Sequence, residues 1–153
     1  MNSLPADGMG AKPDMVVILP KEEYRKLLAH AVSCLPEEAC GLVAGRVEGQ
    51  EKHIAKVYLL PNVDHSPTHF SIAPQEQLNA ILDMRRNGLQ PLGNWHSHPE
   101  TPSRPSEEDK RLAYDASASY LILSLAEKDP VLRSFSITAD AVEREELIIK
   151  EEP

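Results

Sequence analysis

Three prolines fall within the seven residues Pro99 to Pro105. A segment so dense in fixed backbone angles and missing N–H donors can be neither helix nor central strand. It therefore separates two elements. Before it, Leu92 to His98 reads as a strand, with Gly93 and Asn94 as its least typical members. After it, Ser106 to Ala116 is predicted to be helical. The strand ends in His96-Ser97-His98. Strand side chains alternate, so the two imidazoles project from one face and Trp95 from the other, as a core anchor.

The remaining elements follow from periodicity and punctuation. Met15 to Leu19 is a short apolar strand. Pro20 opens a helix, with Glu22 and Glu23 at its positive end and Tyr24, Leu27, Leu28 and Val32 on the core face. Leu35-Pro36 ends it. Ala39 to Gly45 and Ile54 to Leu60 form a hairpin around a turn at Arg46 to Glu51. Pro61 to Pro67 is a loop, and His69 to Ile72 is expected to be a short strand. A second helix runs from Pro74, with Leu78, Ile81, Leu82 and Met84 inward, to a stop at Asn87-Gly88. Tyr120 to Leu125, Val131 to Ile137 and Val142 to Ile149 are strands. The mixture predicts an α+β fold, a mixed central β-sheet flanked by helices. One domain is expected over 15–150, between flexible tails at 1–14 and 151–153.

Charge narrows the partners. With 16 basic and 24 acidic residues among 153, the net charge is −8. Arg85-Arg86 and Lys110-Arg111 are isolated basic pairs, so neither nucleic acid nor an anionic membrane is expected as a partner. No run approaches the roughly 18 apolar residues of a membrane helix, and Met1 to Asp14 lacks the apolar centre of a secretory signal. Cys34 and Cys40 are too few for a disulfide framework or a four-cysteine zinc site. They read as small buried thiols in a cytoplasmic protein.

The chemistry concentrates at His96, His98, Ser106 and Asp109. Two imidazoles on one strand face at that spacing can chelate one metal ion. Ser106 and Asp109, three apart at a helix start, share a helical face. Ser-x-x-Asp there also has the form of a capping box, and the two roles are compatible. If the proline loop folds the helix back over the strand end, Asp109 completes a His-His-Asp set. Three protein ligands with a fourth position left open characterise a catalytic zinc site. His30, His53, His65 and His69 are assigned solvated or structural roles.

In this pattern the chain resembles the JAMM, or MPN-plus, metalloprotease family. That family has an upstream Glu, then His-x-His-Pro, seven residues from the second His to a Ser, two more, and an Asp. Here Pro99 to Pro105 are the seven, followed by Ser106, Glu107-Glu108 and Asp109. Pro36-Glu37-Glu38-Ala39-Cys40-Gly41-Leu42 is similar to the family's approach to its second strand. The resemblance spans Val16 to Ile137 and implies a JAMM/MPN, cytidine-deaminase-like architecture. By the same resemblance, Zn2+ would be held by His96, His98 and Asp109, Glu38 would be the general base and acid, and Ser106 would help hold the oxyanion. On residue type alone Glu37 is as good a base as Glu38. If the strand begins as early as Glu38, Cys40 shares its face and lies near the metal.

The size of the chain is similar to the small prokaryotic branch of that family. The implied activity is a zinc-dependent peptidase or isopeptidase that uses a water activated by Glu38. The implied substrate is a ubiquitin-like or sulfur-carrier protein, cut at the amide beside its C-terminal Gly-Gly. The alternative is a non-catalytic metal-binding MPN scaffold. Other zinc families fit less well. His98-Pro99-Glu100 matches half of the deaminase signature, but its Pro-Cys-x-x-Cys half is absent, as is the His-Glu-x-x-His of zincins.

Overall fold

The computed structural model describes residues 15–151. The tail expected at Met1–Asp14 and the end of that expected at 151–153 lie outside them. Among the described residues, seven strands and three helices follow one another: β1 (Val16–Pro20), α1 (Lys21–Cys34), β2 (Cys40–Glu48), β3 (Glu51–Leu60), α2 (Pro74–Arg86), β4 (Gln90–His98), α3 (Glu107–Arg111), β5 (Ser119–Ser124), β6 (Val131–Ile137) and β7 (Val142–Lys150). Among the described residues no helix is long and apolar enough to cross a membrane.

The sheet is mixed, as expected, and it also closes on itself in the order β1-β3-β2-β4-β5-β6-β7. Closure depends on β1, which pairs in parallel with β3 on one side (Val16 with Glu51) and with β7 on the other (Val16 with Glu146). The hairpin pair β2–β3 is antiparallel, with Cys40 opposite Leu60. Strand β4 lies antiparallel to β2 and parallel to β5. It thus occupies the middle of the sheet, and its last residue, His98, is level with Ser124.

One apolar cluster draws on every strand: Val17, Leu19, Val43, Ile54, Val57, Trp95, Leu121 and Leu123 belong to it, with Leu132 and Leu147 packed against it. Helix α1 lays Leu27 and Ala31 into the same cluster. Trp95 is fully buried there, and its Nε1–H donates to the Tyr58 carbonyl at 3.0 Å. A buried indole needs such an acceptor, and truncating one costs about 3–5 kcal/mol. Two smaller clusters cover the opposite face. Ala80 and Met84 of α2 pack on Ala44, Tyr58 and Leu60 of β2 and β3. Tyr120, Ile122, Phe135 and Ile137 of β5 and β6 form the other, with Ala113 and Ala118 against them. The outer face of β4, which carries His96 and His98, lies between these two patches.

Several local expectations are corrected. Val32, Leu78 and Leu82 are exposed, because each helix meets the sheet along a stripe narrower than its apolar face. His69 to Ile72 form no strand. The Asn62 side chain takes up the Ser71 amide, and a single backbone bond, Val63 N–H to the Ser71 carbonyl, bridges the segment. Helix α3 ends at Arg111 rather than Ala116. Beyond it the Asp115 carboxylate accepts from both the amide and the hydroxyl of Ser117, and the Tyr120 hydroxyl holds the Asp115 backbone. Such side-chain turns compete with continued helix.

A candidate metal centre at the end of the central strand

The proline-rich segment after β4 is fixed to β5 by two serines. Ser103 Oγ donates to the Ile122 carbonyl and Ser124 Oγ to the Thr101 carbonyl, each at 2.6 Å. The chain is thereby turned back so that α3 starts over the outer face of β4. Ser106 caps that helix: its Oγ accepts the Asp109 amide at 3.0 Å, and its own amide donates to Asp109 Oδ2 at 2.9 Å. This reciprocal box satisfies two amides of the first turn and sets the direction of the Asp109 carboxylate.

Three atoms consequently converge. His96 Nε2 and His98 Nε2 are 3.1 Å apart, and Asp109 Oδ2 lies 3.2 and 3.1 Å from them. Zinc bonds of about 2.0–2.1 Å at tetrahedral angles would separate neighbouring ligand atoms by about 3.3 Å, so the triangle has the size of one face of such a site. Protonation chemistry agrees. The His98 Nδ1–H donates to the Pro102 carbonyl at 2.9 Å, which leaves a neutral His98 with only a lone pair on Nε2. That lone pair faces another imidazole nitrogen and a carboxylate oxygen. The three repel one another unless a cation or a proton lies between them.

The titration behaviour reflects this crowding. Burial alone would lower His98, but its bonds to Asp109 and the Pro102 carbonyl raise it above the ordinary imidazole value. His96 is lowered, because burial outweighs its contact with Asp109. Burial pushes Asp109 up, yet hydrogen bonds from both imidazoles hold it well below the usual carboxylate range. On the other side of His96, Phe70 stacks with ring centroids 4.8 Å apart and planes 26° from parallel.

Glu38 lies just before β2. It is buried, and burial with the nearby charge of Asp109 pushes its carboxyl up to about 8 against the opposing influence of His98. Its Oε1 has no hydrogen-bond partner among the described residues, and the same holds for His96 Nδ1. Glu37, its rival by residue type, is partly exposed and lies 3.3 Å from His65 Nδ1. Cys40 is level with His96 in the β2–β4 ladder and so shares its face. Burial pushes its thiol up to about 12, and its Sγ lies 3.7 Å from the carbonyl oxygens of Leu60 and Pro61. The other histidines make local contacts: His30 with Cys34, His53 with Glu51, and His69 with Asp64.

Phe70 and the Pro102 carbonyl were not evident as site elements in the sequence. An aromatic residue in an irregular loop carries no periodic signal, and a carbonyl carries none at all. Beside the triangle a cavity of about 50 Å³ is lined by Phe70, Asn94, His96, Asp109, Leu112 and Tyr120, among others. Asn94, Leu112 and Tyr120 also line a groove of about 400 Å³ that runs toward α2 and Tyr114.

Comparison with known proteins gives concordant relatives. Residues 20–138 match the family described as prokaryotic homologs of the JAB domain. A CysO-cysteine peptidase of Mycobacterium tuberculosis is 33% identical over 143 residues, covering 90% of this chain and 93% of that protein. A probable TtuB-protein conjugate cleaving protease of Thermus thermophilus is 36% identical over 109 residues, covering 68% of this chain and 70% of the relative. The solution structure of a Desulfitobacterium hafniense protein superposes with a TM-score of 0.83 at 55% identity, over 90% of this chain and 94% of that one.

Proposed function

The chain belongs to the family of prokaryotic JAB-domain proteins and is a hydrolase by that kinship; on this premise we propose that it is a zinc-dependent peptidase or isopeptidase acting beside the C-terminal Gly-Gly of a ubiquitin-like or sulfur-carrier protein. The observation that carries this reading is the triangle of His96, His98 and Asp109 with the buried carboxyl of Glu38 within reach of its charge. His96, His98 and Asp109 are the residues that would hold the ion. Zinc at such a site supplies Lewis acidity toward the amide carbonyl and acidifies water.

The protein's own groups account for the rest. Glu38 would accept a proton from the attacking water and deliver it to the departing amine; burial raises its carboxyl to about 8 in the metal-free protein, and a dication in the triangle would draw it back toward the ionised form that can take that proton. Ser106 Oγ already accepts the Asp109 amide, so its hydroxyl proton is available to the developing oxyanion. Phe70, Leu112 and Tyr120 give the cavity beside the triangle largely apolar walls. The groove past Asn94 provides a path for an extended tail, and glycines would let its backbone approach closely. The relatives' names describe the cleavage of CysO-cysteine and TtuB-protein conjugates, which supports a carrier-type substrate.

The test is incubation of zinc-loaded protein with sulfur-carrier proteins extended beyond Gly-Gly, followed by intact-mass measurement. Loss of the extension is expected, and none with Glu38→Gln. Unchanged masses for every carrier, from protein that retains zinc, would favour the scaffold reading.

A further inference from the structure

Glu38 presents a positional problem. It precedes β2, so the ladder does not hold it, and its buried Oε1 has no partner among the described residues. A buried side chain without a terminal tether owes its aim to its backbone. That backbone is bound at every polar group from Glu38 N–H to the Ala39 carbonyl. The Glu38 amide donates to the Ser66 carbonyl at 2.8 Å. The Glu38 carbonyl accepts from Asn62 Nδ2 at 3.0 Å. The Ala39 amide donates to Ser97 Oγ at 2.8 Å, and the Ala39 carbonyl accepts the Ser97 amide at 3.0 Å.

Two side chains stand out in that set. Ser97 is fully buried and sits between His96 and His98 in sequence, on the opposite face of the strand. Its hydroxyl replaces the backbone carbonyl that would ordinarily take the Ala39 amide. Asn62 is also buried, and both ends of its amide are in use. Nδ2 donates to the carbonyls of Glu38 and His69, while Oδ1 accepts the amides of Asp64 and Ser71. It therefore ties Glu38 to the same 61–73 loop that places Phe70 on His96.

We propose that Asn62 and Ser97 are positioning residues for Glu38: Ser97 couples its backbone to the strand bearing the two histidines, and Asn62 couples it to the loop whose Phe70 stacks on His96. The kinetic part rests on the peptidase reading above; the tether itself does not. Ser97→Ala removes the acceptor for the Ala39 amide. Asn62→Asp keeps the two acceptor bonds and loses both donor bonds.

The test uses the full chain, zinc-loaded, with a Gly-Gly carrier extended by a short peptide. Each variant is expected to lower kcat at least tenfold, with KM within twofold of wild type and one zinc per chain retained. Ser97→Thr, which keeps the hydroxyl, is expected to restore kcat to within threefold. Independently of turnover, NMR of the metal-free protein should show Ala39 amide exchange at least tenfold faster in Ser97→Ala, with a lower order parameter for the Glu38 side chain and no change in the middle of β2. Unchanged kcat alongside faster exchange would overturn the positioning role, as would unchanged exchange and unchanged Glu38 order. If wild-type protein cleaves nothing, the peptidase reading fails, and the NMR measurements still decide the tether.

Discussion

Ser106 and Asp109 hold each other: the serine hydroxyl accepts the aspartate amide at 3.0 Å, and the aspartate Oδ2 accepts the serine amide at 2.9 Å. The second bond uses the serine backbone, so it survives loss of the side chain. Ser106→Ala should therefore keep zinc while losing a cap contribution of about 1 kcal/mol and an oxyanion donor, whose removal typically slows turnover about 100- to 1,000-fold. Metal content, thermal unfolding and kcat on one preparation separate these effects. A fall in zinc affinity as large as the fall in activity would mean that the hydroxyl, not the amide, aims Asp109.

The triangle makes a sharper demand on Asp109 itself. Asp109→Asn preserves shape and an acceptor for the Ser106 amide, but it removes the negative charge that two imidazole lone pairs cannot replace. Zinc affinity should fall by more than the roughly 10- to 100-fold seen when outer-shell partners are removed, with the strand and helix content unchanged. Competition against a chromophoric chelator measures this directly. Near-normal affinity would show that the carboxylate does not bind the ion.

What was legible in the sequence was local. Alternation placed His96 and His98 on one face, three prolines set the break, and Ser-x-x-Asp marked the helix start, because each depends on neighbours within a few residues. Barrel closure was not legible: Val16 meets Glu146 through a pairing that no short-range pattern records. Exposure of Val32, Leu78 and Leu82 was missed because periodicity reports a helix's apolar face and not the width of its partner. Glu38 could not be separated from Glu37 by residue type; in the structure one is buried and the other is partly exposed beside His65. Asn62 and Phe70 lie in irregular chain, where no period exists to single them out.

Gly41 gives a prediction on the core side of the site. A Cβ there would meet the Tyr58 carbonyl and Trp95 Nε1, which are hydrogen-bonded to each other at 3.0 Å. The colliding carbonyl belongs to the β2–β3 ladder and cannot swing aside as a flexible side chain would. Gly41→Ala should thus displace the indole or split the ladder, at a cost above the roughly 1–3 kcal/mol of ordinary overpacking. Denaturant unfolding followed by Trp95 fluorescence measures both the stability and the indole environment. Wild-type stability would show that the strands part there without penalty.

Glu38 links stability to chemistry. Its carboxyl holds its proton in the native state up to about pH 8, while 4.5 is the ordinary value for the unfolded chain. Between those two values the unfolded state binds fewer protons than the native one, so the metal-free fold weakens as pH rises through that window and stays level above it. A tenfold difference in proton affinity between the two states is worth about 1.4 kcal/mol, so the loss reaches a few kcal/mol by pH 9. Glutamine carries no such penalty. Chelator-treated Glu38→Gln should therefore match wild type near pH 4 and unfold at a distinctly higher temperature near pH 9. A dication in the triangle would favour the ionised carboxylate, so zinc should narrow the difference. Parallel melting curves across pH 4–9 for both metal-free proteins would expose any error. If their gap does not widen with pH, the Glu38 carboxylate is solvated, and burial does not tune it for proton transfer.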